Sequence, residues 1–111
     1  MAHDTLLFRR DEARRARRLE IREQVRGDLR VALGELIPGS RVWVFGSLTK
    51  PGAFNDASDV DLALEAEPAL MSAGALSSEL AERLGRPVDV VLLDQCRFRD
   101  KILREGELWT L

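Results

Sequence analysis

Apolar positions along the chain follow two different periods. From about Asp11 to Ile37 they recur at three- and four-residue steps, with Ile21, Val25, Leu29, Ala32 and Leu36 on one face of a long helix. Pro38-Gly39 stops it. Arg41–Phe45 (RVWVF) is short and rich in β-branched and aromatic residues, which predicts a strand. Trp43 and Phe45 alternate about Val44, so one of the two sets belongs to the core. Gly46 to Ser58, rich in Gly, Pro, Asn and Asp, reads as loop with room for one helical turn. Asp59–Leu64 (DVDLAL) alternates as a second strand. Pro68–Leu84 returns to helical spacing, with Leu70, Leu76, Leu80 and Leu84 directed at the core and Gly85 ending it. Pro87–Leu93 (PVDVVLL) is a third strand, so apolar that a central place in the sheet is expected. Phe98–Arg104 reads as a short last helix before Gly106. The order α-β-turn-β-α-β-α predicts an α+β (α/β two-layer) domain, a small sheet covered by helices.

At 111 residues the chain is expected to form one domain, 1–111, with 1–37 as a helical segment and 41–111 as the core. Apolar residues at 45% and charged residues at 32% exclude a disordered chain. Lys and Arg number 17 against 19 Asp and Glu, a net charge of -2, which argues against a uniformly basic nucleic-acid binder. The charge is uneven, since the first thirty residues hold nine Arg and six acids. The Arg-rich stretch 9–18 suits contact with RNA or an acidic partner, and equally a solvated helix face partly paired with Asp11, Glu12 and Glu20. The single Cys96 gives neither an internal disulfide nor zinc spacing, and fits a cytoplasmic protein. No apolar run approaches the roughly 18 residues of a membrane span, and the N-terminus carries charge where a signal peptide needs an apolar core. His3 and Cys96 carry no expected chemistry, there being no second His to activate a thiol.

Candidate chemistry begins with acids in strands, where Asp is depleted. Asp59 and Asp61 project from one face of the second strand, opposite Val60, Leu62 and Leu64. Asp89 lies inside the third. If those strands are neighbours, three carboxylates converge and disfavour one another's ionised forms. A hard divalent cation such as Mg²⁺ relieves that repulsion, and two such ions stabilise both oxygens of a phosphoryl transfer. Each acid alone also fits a plain role: a strand end, a solvated face, an ion pair with Arg. Gly46-Ser47 follows the first strand directly. Gly allows close backbone approach and Ser caps a helical turn whose free N–H groups suit an anion, with Lys50 three residues on. Gly34–Ser40 (GELIPGS) lacks the Lys and the preceding strand of a P-loop. Ala63 and Leu64 stand where an EF-hand needs an oxygen ligand and a Gly.

Taken together, Gly46-Ser47, Ser58-Asp59-Val60-Asp61-Leu62 and Val88-Asp89-Val90-Val91 resemble the minimal nucleotidyltransferase (MNT) group of the DNA polymerase β-like superfamily. The resemblance runs from Arg41 to the end of the sequence. It implies a small mixed sheet with helices on one side, a nucleotidyltransferase (polymerase β palm-like) fold. It further implies transfer of a nucleoside monophosphate from Mg²⁺-bound ATP, using two Mg²⁺ ions. By that resemblance Gly46 and Ser47 hold the β- and γ-phosphates, with basic Lys50 beside them. Asp59 and Asp61 are metal ligands, and Asp89 is the third carboxylate, orienting or deprotonating the acceptor hydroxyl. The stretch Leu48 to Ser58 is one residue longer than the family's usual spacing, and Pro51 displaces the expected Gly to Gly52. A surface loop absorbs such an insertion cheaply.

Relatives this short often act as antitoxins beside a HEPN-type ribonuclease toxin, adenylylating one of its tyrosines (AMPylation). The resemblance therefore implies an antitoxin of a toxin–antitoxin system with a protein acceptor. Two other readings stay open. One is a binding module that masks its partner by contact alone. The other is transfer to RNA or to a small hydroxyl compound. A homo- or hetero-oligomer suits the long amphipathic helix and Trp109.

Overall fold

Thr5 caps the first helix. In the computed structural model, which describes residues 5–111, its hydroxyl accepts the Phe8 amide at 3.2 Å and caps helix α1, Leu6–Leu36. The helix starts five residues before the expected Asp11 because its first turns bury nothing and so carry no periodic signal. Residues 5–20 are exposed throughout, and burial begins with Val25, Leu29, Ala32 and Leu33. Half of α1 therefore stands clear of the body, and the molecule measures 59 × 28 × 20 Å. Arg, Ala, Leu and Glu dominate that half and are good helix formers. His3 lies outside the described residues.

Four strands form one mixed sheet in the order β3-β2-β1-β4, with β1 Arg41–Phe45, β2 Val60–Leu64, β3 Val88–Leu92 and β4 Glu107–Thr110. Strand β1 runs antiparallel to β2 and β4, and β2 runs parallel to β3. A parallel pair needs a crossover, and helix α2 (Ala73–Leu84) supplies it. The helix starts later than the expected Pro68. Ser72 Oγ accepts the Ala75 amide at 3.0 Å, and a Glu67 carboxylate oxygen accepts the Ala73 amide at 2.8 Å, so the turn is fixed here. Leu70, expected in the core, is exposed.

Three expectations need correction. Strand β3 is an edge strand, not central. Its apolar run reflects cover on its faces, α2 on one side and the Leu93–Cys96 stretch on the other, rather than strands on both flanks. Strand β4 was not foreseen, since Leu108 is exposed and blurs the alternation about Trp109. Helices also occupy both faces of the sheet. Val42, Val44, Val60, Leu62, Leu64 and Val88 pack against α1 and α2. Trp43, Phe45, Ala63 and Val91 face the other way, where Ile102 of helix α3 (Arg99–Glu105) and Leu93 cover part of them. Gly106 permits the tight passage from α3 to β4, because a Cβ there would sit 2.6 Å from the Ile102 carbonyl and 3.1 Å from that of Val44.

Trp109 joins β4 to the main core. It is buried, and the guanidinium groups of Arg30 and Arg26 stand 4.1 and 5.2 Å from its ring centre. Arg26 also pairs with Glu107 at 2.6 and 3.1 Å, which holds the Glu107 carboxyl below its ordinary value. Truncating Trp109 to Ala removes both the buried ring and the stacking platform. Urea unfolding at neutral pH is expected to show a loss of about 3–5 kcal/mol, in the range for large aromatic truncations.

Candidate functional site

Parallel pairing of β2 and β3 sets Asp61 directly beside Asp89. Both project from the face that carries Ala63 and Val91, and α3 leaves this part of that face open. Asp59 lies in extended chain one residue before β2 and is exposed. Asp61 is half-buried, and burial pushes its carboxyl above the ordinary value. The fields of Asp89 and then Asp59 push it further the same way. Of the three acids singled out by residue type, Asp61 thus stands in the fields of the other two.

Gly46 makes the second half of the arrangement possible. It opens a 3-10 turn, Gly46–Thr49, directly after β1, with φ of +76°. A Cβ at this position would stand 2.5 Å from an Asp61 carboxylate oxygen. Only glycine lets the turn and the acid come so close. The Thr49 hydroxyl donates to the Gly46 carbonyl at 2.7 Å and closes the turn, leaving its leading N–H groups without partners inside it. Lys50 follows, exposed.

The loop is held from three directions. Leu48 is buried beneath the turn. Its carbonyl accepts from Arg22 Nε at 2.8 Å and from Arg26 at 3.4 Å, both on α1. Further on, Phe54 is buried under the Arg86 guanidinium, 4.7 Å from its ring centre. Arg86 also donates to the carbonyls of Asn55 and Ser58 at 3.1 and 2.9 Å. The extra residue in this loop therefore sits in a braced segment.

Two adjoining hollows open at this end of the sheet. One, of about 650 Å³, is lined by Asp61, Asp89, Gly46, Phe45, Glu67, Arg97 and Phe98 among others. The other, of about 210 Å³, shares Phe45, Gly46 and Phe98 and adds Thr49, Lys50, Lys101, Ile102 and Glu105. Of the residues expected from sequence, Gly46, Asp61, Asp89 and Lys50 line this groove. Ser47 and Asp59 flank it without lining it. Sequence reasoning missed Phe98, Lys101, Glu105, Arg97 and Glu67. Phe98 is 63% exposed, an unusual position for a Phe, and only the fold shows that it faces the groove. Lys101 follows it by three residues on one side of α3, too short a helix for its periodicity to be read.

The donor set suits a hard cation. Two carboxylates abreast with a third close behind supply oxygen ligands on one side only, as Mg²⁺ uses when water and phosphate complete its shell. Among the described residues no group of three or more His, Cys, Asp or Glu is gathered closely enough to hold a metal ion by itself. The residues offer an open edge rather than a closed cage.

Comparison with known proteins bears on the family and the fold. The family model described as "Polymerase beta, Nucleotidyltransferase" matches residues 40–109. A crystal structure of a toxin–antitoxin with AMP-PNP is similar in fold, at 23% identity over 77% of this chain and 73% of that one, TM-score 0.58. A crystal structure of the toxin–antitoxin MntA–HepT is similar at 22% identity over 80% and 73% of the two chains, TM-score 0.55. Curated proteins give no match.

Two outcomes follow from the packing at Gly46 and Asp61. Gly46→Ala forces a side chain into left-handed backbone and against a carboxylate, and is expected to cost about 1–3 kcal/mol in chemical unfolding. For Asp61, a carboxyl raised in the folded state contributes stability that is complete below the unfolded value of about 3.9 and is lost as pH rises through the raised one. Without divalent cations, Asp61→Asn is therefore expected to raise Tm at neutral pH by a few degrees. The gain shrinks toward pH 4 in thermal melts across pH.

Proposed function

The chain belongs to the polymerase β nucleotidyltransferase family, and on that premise we propose that it transfers AMP from ATP, with Mg²⁺, to an acceptor hydroxyl. The observation that carries the reading is the in-register pair Asp61 and Asp89, with Asp59 in its field and Gly46 against it. The acceptor proposed is a tyrosine of a HEPN-type ribonuclease toxin, which makes this protein the antitoxin of the pair and a protein adenylyltransferase. Support comes from the fold's likeness to toxin–antitoxin structures, one of them with AMP-PNP. On this reading residues 1–111 work as one minimal nucleotidyltransferase domain in a cytoplasmic hetero-complex. No helix among the described residues is long and apolar enough to cross a membrane.

In the proposed reaction Asp59, Asp61 and Asp89 would hold two Mg²⁺ ions, which would neutralise charge on the triphosphate. Gly46 and Ser47 present backbone N–H groups to the β- and γ-phosphates. Lys50 adds a positive charge at the same hollow, and Lys101 a second. Phe45 and Phe98 offer apolar walls to the base. Asp89 orients the acceptor hydroxyl and takes its proton. The acceptor oxygen bonds to the α-phosphorus, the bond to the bridging oxygen breaks, and pyrophosphate leaves.

Calorimetry with a non-hydrolysable ATP analogue tests the site. Micromolar binding that requires Mg²⁺ and disappears in Asp59→Asn/Asp61→Asn is expected, and GTP serves as the comparison. A folded wild-type protein that binds no Mg²⁺-nucleotide would sink the reading. If the double variant still neutralises the toxin by forming the complex, the contact-only module takes its place.

A further inference from the structure

The exposed half of α1 carries a feature that nucleotidyl transfer does not use. Along α1 the buried stripe runs Leu36, Ala32, Leu29, Val25, Ile21 toward the N-terminus. Continued past Ile21 by steps of three and four, the same face presents Arg18, Arg14 and Arg10. The side of the helix that packs on the domain at one end is thus basic where it overhangs at the other. These three residues belong to a longer series, Arg10, Arg14, Arg18, Arg22, Arg26 and Arg30, one at every fourth position. The inner members are committed: Arg22 and Arg26 to the Leu48 carbonyl, Arg26 and Arg30 to Trp109. Arg10, Arg14 and Arg18 are exposed and make no ion pair among the described residues.

Arg17 shows which way this face looks. It reaches Asp56 in the loop beyond Gly46, at 3.3 Å, rather than Asp11, Glu12 or Glu20 on its own helix. The overhang therefore looks across the loop that bounds the candidate site. Its inward face lacks the apolar seam that a second copy of the helix would need for a coiled coil.

We propose that the overhanging face formed by Arg10, Arg14 and Arg18 is a docking surface for a single strand of nucleic acid, held by its phosphates. Charge complementarity carries the choice. Every base on this helix is Arg and none is Lys, and the planar guanidinium fork matches phosphate geometry. A four-residue step advances about 6 Å along a helix, which places successive arginines beside successive phosphates of an extended strand. Acidic side chains of a protein surface have no such fixed repeat. The inference stands apart from the transfer reading, because docking on the arm needs neither nucleotide nor metal.

The test is fluorescence polarisation of the full chain with a labelled single-stranded RNA of mixed sequence, without nucleotide or divalent ions. Three phosphate contacts on a single strand predict a log–log salt slope of about -2. Charge reversal at Arg10, Arg14 and Arg18 is expected to weaken binding by at least about tenfold. A control with the same reversal at Arg41, Arg99 and Arg104 retains it. Circular dichroism checks that both variants keep their helix, and Arg→Gln at the same three positions is the milder variant should reversal unfold the arm. Binding at the level of the reversed variant, equal loss in the control, or equal competition by polyglutamate of matched charge overturns the proposal. The last outcome transfers the surface to an acidic protein.

Discussion

Two carboxylates fixed abreast on neighbouring parallel strands are the constraint around which the candidate site is organised. Burial and the field of Asp89 both work against the ionised form of Asp61. Register gives the two acids no room to part, because β2 and β3 pair residue for residue from Val60 and Val88 to Leu64 and Leu92. Slipping the register by one would move Leu62 and Val90 out of the main core, so burial on one face enforces repulsion on the other. The fold carries that tension by placing its larger core wholly on the far side, under α1 and α2.

The second organising contact is made by Arg26. It touches the Leu48 carbonyl, the Glu107 carboxylate and the Trp109 ring from one position on α1. The turn beside Asp61 and the strand at the opposite edge of the sheet thereby report to the same helix. Burial of Leu48 and the stack of Arg86 on Phe54 complete the bracing. A loop fastened at both ends tolerates an additional residue between the fastenings without moving the Gly46 turn.

Much of this was legible in the residues. RVWVF marks β1 to the residue, and the alternation of DVDLAL marks β2 and the face of Asp61, though the strand starts at Val60 and leaves Asp59 just outside it. Acids in strands are conspicuous because propensity disfavours them, so Asp59, Asp61 and Asp89 could be read without a fold. Illegible features depended on pairing across distance. The apolar run of β3 looks the same whether strands or a helix cover it, and β4 is four residues with one exposed Leu. Nothing local says that α3 crosses to the other face or that Phe98 and Lys101 turn toward Gly46. The start of α1 was hidden for the opposite reason, since its first turns bury nothing.

The edge position of β3 gives Asp89 a second consequence. An edge strand of sequence VDVVL, rich in β-branched residues, exposes a row of unpaired backbone groups that could accept another chain. Asp89 is the one charge within it, and the strand after it is continuously apolar. Strand-by-strand aggregation would bury that charge, so the acid acts as a gatekeeper for the sheet's open margin. Solubility and the proposed chemistry then meet at the same carboxylate. A change there to Val or Ile would remove the carboxylate and unguard the edge together, whereas Asn removes the charge and keeps a polar residue in place.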